Sequence, residues 1–356
     1  MSEAEPPRAP RLSRRHPRRS VALARVEDFL REIQPDAPEP AAQYVRELMV
    51  TAIRLLEDGA SIADVRLLNA AVRELRYAFR TFARYRGVRK VTAFGSARTT
   101  ETEPAYRQAE EFSRRAVEAG YMLITGAGGG IMRACQAGAG RAHSFGVNIR
   151  LPFEQKPNEF IVDDPKLVTF KYFFTRKLLF IKEADAVVMF PGGFGTLDEA
   201  YECLTLVQTG KAGPVPILFV DAPGGRFWSA WLDYVRDHLL KNGLILQEDL
   251  SLFRVVDDAA AAVEEIRGFY RVYHSSRYVG DKFVLRLTRA PEPALLEQVG
   301  REFADIAAGG RFRLSTKLPE EDDDETAAMH RLVFAFDRVH FGRLRQLIDF
   351  LNANAV

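Results

Sequence analysis

The stretch FPGGFGTLDEA, residues 190–200, places three glycines, a threonine and two acids directly behind the apolar run DAVVMF. Glycine carries no Cβ, so a turn this rich in it brings bare backbone N–H groups close to a ligand, and the helix that follows aims its positive end at the same spot. The spacing predicts that helix from Thr196. Gly192, Gly193, Gly195 and Thr196 are therefore candidate phosphate ligands. A second reading stands equal at this point: Thr196 with Glu199 also has the spacing of a capping box, in which the threonine caps the helix and the glutamate folds back onto the cap.

Outward from this turn, short apolar runs alternate with helical patterns. KVTAFGS, YMLIT, FGVNI, DAVVMF and VPILFV read as strands. Helices are expected near Pro104–Ala119, through KYFFTRKLLFIKEA, from Thr196 to Gly210, over Trp228–Leu240 and over Ala259–Ile266. Alternation of this kind is the pattern of a parallel sheet covered by helices on both faces, so the fold class is α/β, doubly wound. Such sheets bind ligands beyond the carboxyl ends of their strands. Three glycine-bearing turns fall there: FGSAR with Ser96, TGAGGGIM with Gly128, Gly129 and Gly130, and PGGFGT. No G-x-G-x-x-G occurs and QTGK lacks the rest of a P-loop, which argues against dinucleotide redox chemistry and nucleoside triphosphate hydrolysis.

With 356 residues and 47% hydrophobic content the chain can build a real core and exceeds one ordinary domain. The expected division is a basic arm over 1–20, a helical extension over 21–87 broken at Gly59–Ser61, the nucleotide-binding domain over 88–269, and an α+β appendage over 270–356 suited to packing or assembly. The arm carries six arginines against Glu3 and Glu5, a local charge of +4; against the total of +2 this leaves the rest at −2. It has no aromatic residue to stack a base, so a solvated tail is expected and nucleic-acid binding is not. The acidic run Glu320–Glu325 lacks the spacing of a calcium loop and reads as a solvated loop. Cys135 and Cys203 lie far apart without ligand spacing and read as small buried residues. The absence of a membrane-length apolar run or a leader pattern points to a cytoplasmic protein.

PGGFGTLDE matches the PGGxGTxxE signature of the Lonely Guy family of nucleoside monophosphate phosphoribohydrolases, and TRK at 175–177 matches its second signature. FGSAR, GGGIM, LPFEQKPN, YFFTRK and LTLVQTGK extend the resemblance from about Val91 to about Val220. It implies a Rossmann-like fold, a homodimer or larger assembly, and hydrolysis of AMP-like or cytokinin nucleotides to free base and ribose 5-phosphate without metal or organic cofactor. Many members carry a lysine decarboxylase label, yet no motif here argues for pyridoxal chemistry. The resemblance makes Arg176 and Glu199 the catalytic pair, with Lys177 adding charge and Ser96 a polar contact. Glu154 reads equally as a ribose ligand or an exposed loop acid. Phe173 and Phe174 have the spacing of core residues, with a wall for the base as the alternative. One departure is plain: GAGGGIMRA puts Ala127, Gly129 and Arg133 where the family usually has Gly, Pro and Glu. A different class of function on the same turn is a non-catalytic nucleotide or molybdenum-cofactor carrier, which needs the phosphate turn without the Arg–Glu pair.

Because residues 1–19 hold too little apolar content to pack, a chain lacking Met1–Arg19 is expected to keep its melting temperature and its activity. A fall of many degrees in thermal denaturation would contradict this.

Overall fold

The structure, a computed structural model, describes residues 17–34, 36, 38–150, 156–321 and 325–355. Its contacts divide the chain into residues 1–72 and 73–356. The first unit contains α1 (Pro17–Ile33), α2 (Glu39–Glu57) and the start of α3 (Ile62–Ala83). A proline in the first turn of α2, where no N–H is needed, opens that helix, and the Asp58–Ser61 break closes it.

In the second unit the strands β1 (Lys90–Phe94), β2 (Met122–Thr125), β3 (Ser144–Ile149), β4 (Leu167–Phe170), β5 (Ala186–Met189), β6 (Ile217–Val220) and β7 (Phe253–Val256) form one sheet in the order β4-β3-β2-β1-β5-β6-β7, every pair parallel. Side chains alternate across each strand and sort into two cores. Val91, Ala93, Leu123 and Val188 meet α4 (Pro104–Glu118), α5 (Ile131–Ala139) and α9 (Ala259–Phe269) on one face. Phe94, Ile124, Val187 and Phe219 meet the end of α3, α6 (Phe173–Lys182), α7 (Phe194–Gln208) and α8 (Phe227–Tyr234) on the other. With both faces covered, an uninterrupted apolar run is what each central strand requires. The chain leaves β1 toward one edge and returns to β5 on its other side, so the sheet's reversal point lies between β1 and β5. That is where an open α/β sheet makes its ligand crevice.

The expected strands and helices are present. In this sheet and its covering helices α5, whose nine residues follow the glycine turn directly, and the edge strands β4 and β7 went unread. Edge strands carry shorter apolar runs because part of their surface faces solvent.

From Phe269 onward β8 (Tyr273–Val279), β9 (Lys282–Leu287), β10 (Arg313–Ser315) and β11 (His330–Phe334) form an antiparallel sheet ordered β10-β11-β9-β8, against which α10 (Pro293–Glu302) and α11 (Phe341–Asn354) bury a separate apolar cluster. The acidic run departs from the solvated loop expected of it. Residues 322–324 lie outside the described residues, but Glu321 is fully buried and accepts from Arg286 (2.9 Å), Arg331 (3.1 Å) and the Leu318 N–H (3.0 Å). Burial opposes its charge, yet those three donors outweigh it and hold the carboxyl down at about 2.

Glu321→Gln should therefore lower the melting temperature at pH 7 markedly, since it removes the carboxylate charge that faces two buried guanidinium groups, a loss on the order of 3–5 kcal/mol. The glutamate's contribution is complete above its ordinary value of 4.5 and is lost as pH falls through about 2, so the two proteins' melting temperatures should converge in acid.

Candidate active site

The crevice at the β1–β5 reversal is built around the backbone of Ser96. Its N–H donates to Pro191 O at 3.1 Å and its carbonyl accepts from Ile131 N at 2.9 Å, so the turns after β1, β2 and β5 are tied at one residue. Two glycines make this approach possible. A Cβ on Gly130, which sits at φ +59°, would lie 2.2 Å from Ser96 O, and one on Gly192 would lie 2.1 Å from Thr196 Oγ1 and 3.0 Å from Ser96 N. The turns enclose a cleft of about 660 Å³, within the roughly 300–1,000 Å³ of small-molecule sites.

Ser96, Arg176, Gly192, Gly193, Gly195, Thr196 and Glu199 all line this cleft. Lys177, Gly128, Gly129 and Gly130 do not line it, and Glu154 lies outside the described residues. The second turn instead presents Gly126, while Gly130 backs Ser96 and the Gly128 carbonyl accepts from the buried Asn158 amide at 2.9 Å.

The capping box is absent. α7 starts at Phe194 with Gly193 as its cap residue, and the Thr196 and Leu197 N–H groups both donate to Gly193 O. Thr196 is thus already inside the first turn, and Glu199 falls in the second turn, beyond reach of the cap. The Glu199 side chain is 5% exposed and its Oε2 is buried without a hydrogen-bond partner. Burial lifts this carboxyl to about 7, against the pull of Lys177 and Arg176 and with a push from Glu202 and Asp198.

Arg176 faces the same cleft from α6. Glu74, on α3, fixes the start of that helix by accepting from the Lys171 N–H and the Thr175 hydroxyl, each at 2.9 Å. The guanidinium lies 4.9 Å from the Phe173 ring centroid and 5.5 Å from that of Phe180, with Nε buried and unpartnered. Burial lowers its proton affinity, and Glu199 and Asp198 oppose that shift. Among the described residues Arg176 and Glu199 share no ion pair: a half-buried guanidinium and a buried carboxyl line the cleft with bonding capacity left over.

Lys177 is committed elsewhere. Its Nζ lies 2.6 Å from Glu202, 2.8 Å from Asp198 and 3.9 Å from Glu199, so it pins α6 to α7 and supplies a fixed positive charge behind Glu199. Burial opposes the lysine's charge, but the bonds to Asp198 and Glu202 hold it above its ordinary value.

Phe173 and Phe174 are not core residues. Both are half exposed in the first turn of α6, with Phe173 on the cleft wall beside Phe94, Phe180 and Phe227. At the helix head, beyond the sheet edge, no layer is left to cover them. Arg133 likewise has a visible role: it binds Glu101, Glu159 (2.6 Å) and the Tyr106 hydroxyl (2.6 Å), joining the loop after β1 to the segment after β3. Both cysteines are free and buried. Arg98, Met132, Asp198 and Phe227 also line the cleft and went unread. Of these, Arg98, Met132 and Asp198 had a signal, lying within FGSAR, TGAGGGIM and PGGFGTLDE.

Residues 129–266 match the family model described as "possible lysine decarboxylase", the label borne by many Lonely Guy members, so the resemblance holds over that segment. Among solved structures, the molybdenum cofactor binding protein of Rippkaea orientalis is 19% identical, covering 50% of this chain and 93% of its own, with a TM-score of 0.34. The Moco carrier protein of Chlamydomonas reinhardtii is 18% identical over 51% and 96%, with a TM-score of 0.35. DNA processing protein A of Streptococcus pneumoniae is 12% identical over 69% and 92%, with a TM-score of 0.36. No curated protein matches.

A carboxyl raised to about 7 by burial favours the folded state while protonated and loses that advantage as pH rises from its ordinary 4.5 through 7. Relative to Glu199→Gln, the wild-type protein should therefore lose thermal stability across that interval, with the gap constant above it. Parallel melting curves from pH 4 to 9 measure this, and a gap that narrows with rising pH would refute it.

Proposed function

We propose that this protein hydrolyses the N-glycosidic bond of nucleoside 5′-monophosphates, AMP or a cytokinin riboside monophosphate, to free base and ribose 5-phosphate. The observation that carries the reading is the buried Glu199 carboxyl on the cleft wall, whose Oε2 has no hydrogen-bond partner, with Arg176 lining the same space. As the bond from C1′ to the base nitrogen lengthens, positive charge grows on the ribose. A desolvated carboxylate stabilises that charge more than water would, and it also orients the water whose oxygen bonds to C1′. The departing base keeps the bonding electrons and takes up a proton, and Arg176 stabilises this leaving side.

In this reading the glycine turn, Thr196 and the head of α7 take the 5′-phosphate, since a helix N-terminus favours an anion. The aromatic wall of Phe173 and Phe227 takes the base. Lys177 acts behind Glu199 rather than on the substrate. The exposed Phe173, Phe174 and Leu178 of α6 favour a homodimer or larger assembly.

The test is incubation with a panel of nucleoside monophosphates and chromatography of the released base. Glu199→Gln should lower the rate about a hundredfold or more while nucleotide binding persists, and Thr196→Ala should weaken AMP more than adenosine. If the carboxylate is the working form, the wild-type rate climbs as pH rises through about 7 and then levels. A Glu199→Gln protein with normal turnover would reject this role. Tight nucleotide binding with no base released would put the carrier reading in its place.

A further inference from the structure

Four charged side chains line the cleft: Arg98, Arg176, Asp198 and Glu199. Two cations face two carboxyl groups, so the wall holds no large excess of positive charge, and a phosphate dianion needs a cation that its own acids do not already occupy. Most cations of this neighbourhood are already engaged. Lys177 is held by Asp198 and Glu202, Arg133 by Glu101 and Glu159, and Arg176 is packed against Phe173 and Phe180 with Glu199 as its electrostatic counterpart. Arg98 differs. Among the described residues its guanidinium makes no hydrogen bond or ion pair, although Asp198 and Glu199 line the same cleft.

Its backbone, by contrast, is fixed. The Arg98 N–H donates to Ser96 Oγ at 3.1 Å, and Ser96 itself is tied to Pro191 and Ile131. On the far side the loop is held by the Thr100 N–H donating to Glu103 at 2.7 Å and by the Glu101–Arg133 ion pair. An arginine with an anchored Cα, a free fork of donors, and a place on the cleft wall beside the glycine turn is built to grip two oxygens of a phosphate at once.

Resting on the reading of this cleft as a nucleotide site, we infer that Arg98 takes the charge of the 5′-phosphate and makes the cleft selective for nucleoside monophosphates over nucleosides. Arg133 serves as a positioning residue, holding the loop from which Arg98 reaches.

Calorimetric titration of the full chain with AMP and with adenosine tests this, run in the Glu199→Gln background so that no AMP is consumed. Arg98→Ala should weaken AMP by about 10- to 100-fold and leave adenosine unchanged, and Arg98→Lys should restore part of the loss. Added salt should weaken AMP less in Arg98→Ala than in its parent. Because the side chain is exposed and unpartnered, Arg98→Ala should melt at the parent's temperature, which separates lost binding from lost folding. Arg133→Ala should weaken AMP more mildly, again without affecting adenosine. Equal losses for both ligands, no loss at all, or a parent without preference for AMP would each overturn the inference. Selective AMP binding that depends on Arg98 in a wild-type protein that releases no base would sink the hydrolase reading and leave this one standing.

Discussion

The backbone of Ser96 is the point on which the cleft depends. One N–H and one carbonyl bind the turns that follow β5 and β2, and the approach works only because Gly130 and Gly192 offer no Cβ to collide with it. The parallel sheet brings three strand ends to one edge, and the two bonds of Ser96 join the turns that follow them. Closing them around Ser96 is what places Thr196, Arg98 and the head of α7 on a common wall. A side chain at Gly130 would have to displace the backbone of Ser96 and Ala97, and one at Gly192 would collide with the Thr196 side chain and press on the Ser96 N–H, which is why the constraint is local and severe.

In the same cleft the protein accepts an electrostatic cost. Glu199 is buried, and one of its oxygens has no hydrogen-bond partner in a structure where another buried carboxylate, Glu321, collects three donors. The contrast is informative because the same residue type is held at about 2 in one place and lifted to about 7 in the other. Donors make the difference: Glu321 is surrounded by them, whereas Glu199 has only a lysine at 3.9 Å that two neighbouring acids already share. A carboxyl kept short of hydrogen bonds retains the capacity to respond to charge arriving in the cleft.

The support for this site comes from remote parts of the chain. Glu74 reaches from the helical segment before the sheet to fix the first turn of α6, and so aims Arg176. At the other end of α7, the Phe341 ring of the C-terminal region fills the space beside Gly210. The two helices that carry the candidate catalytic groups are thus braced by segments that contribute nothing to the cleft itself.

Much of this was legible without coordinates. Apolar runs of strand length between helical patterns determined a doubly wound sheet, because burial on both faces leaves each central strand little alternative composition, and glycines after strands marked the turns that meet. What periodicity could not decide depended on neighbours distant in sequence. The start of α7 moved from Thr196 to Phe194, which removed the capping box and left Glu199 unsatisfied, because that helix begins where Gly193 can accept from Thr196 and Leu197. Phe173 and Phe174 have the spacing of core residues yet lie at a helix head with no layer over them. Lys177, read as adding charge to the substrate site, is held by two acids one helical turn apart on α7. Residue type and local spacing named the chemistry; which groups are buried, paired or left open was decided by tertiary packing, since desolvation and ion pairing depend on what the rest of the fold brings alongside.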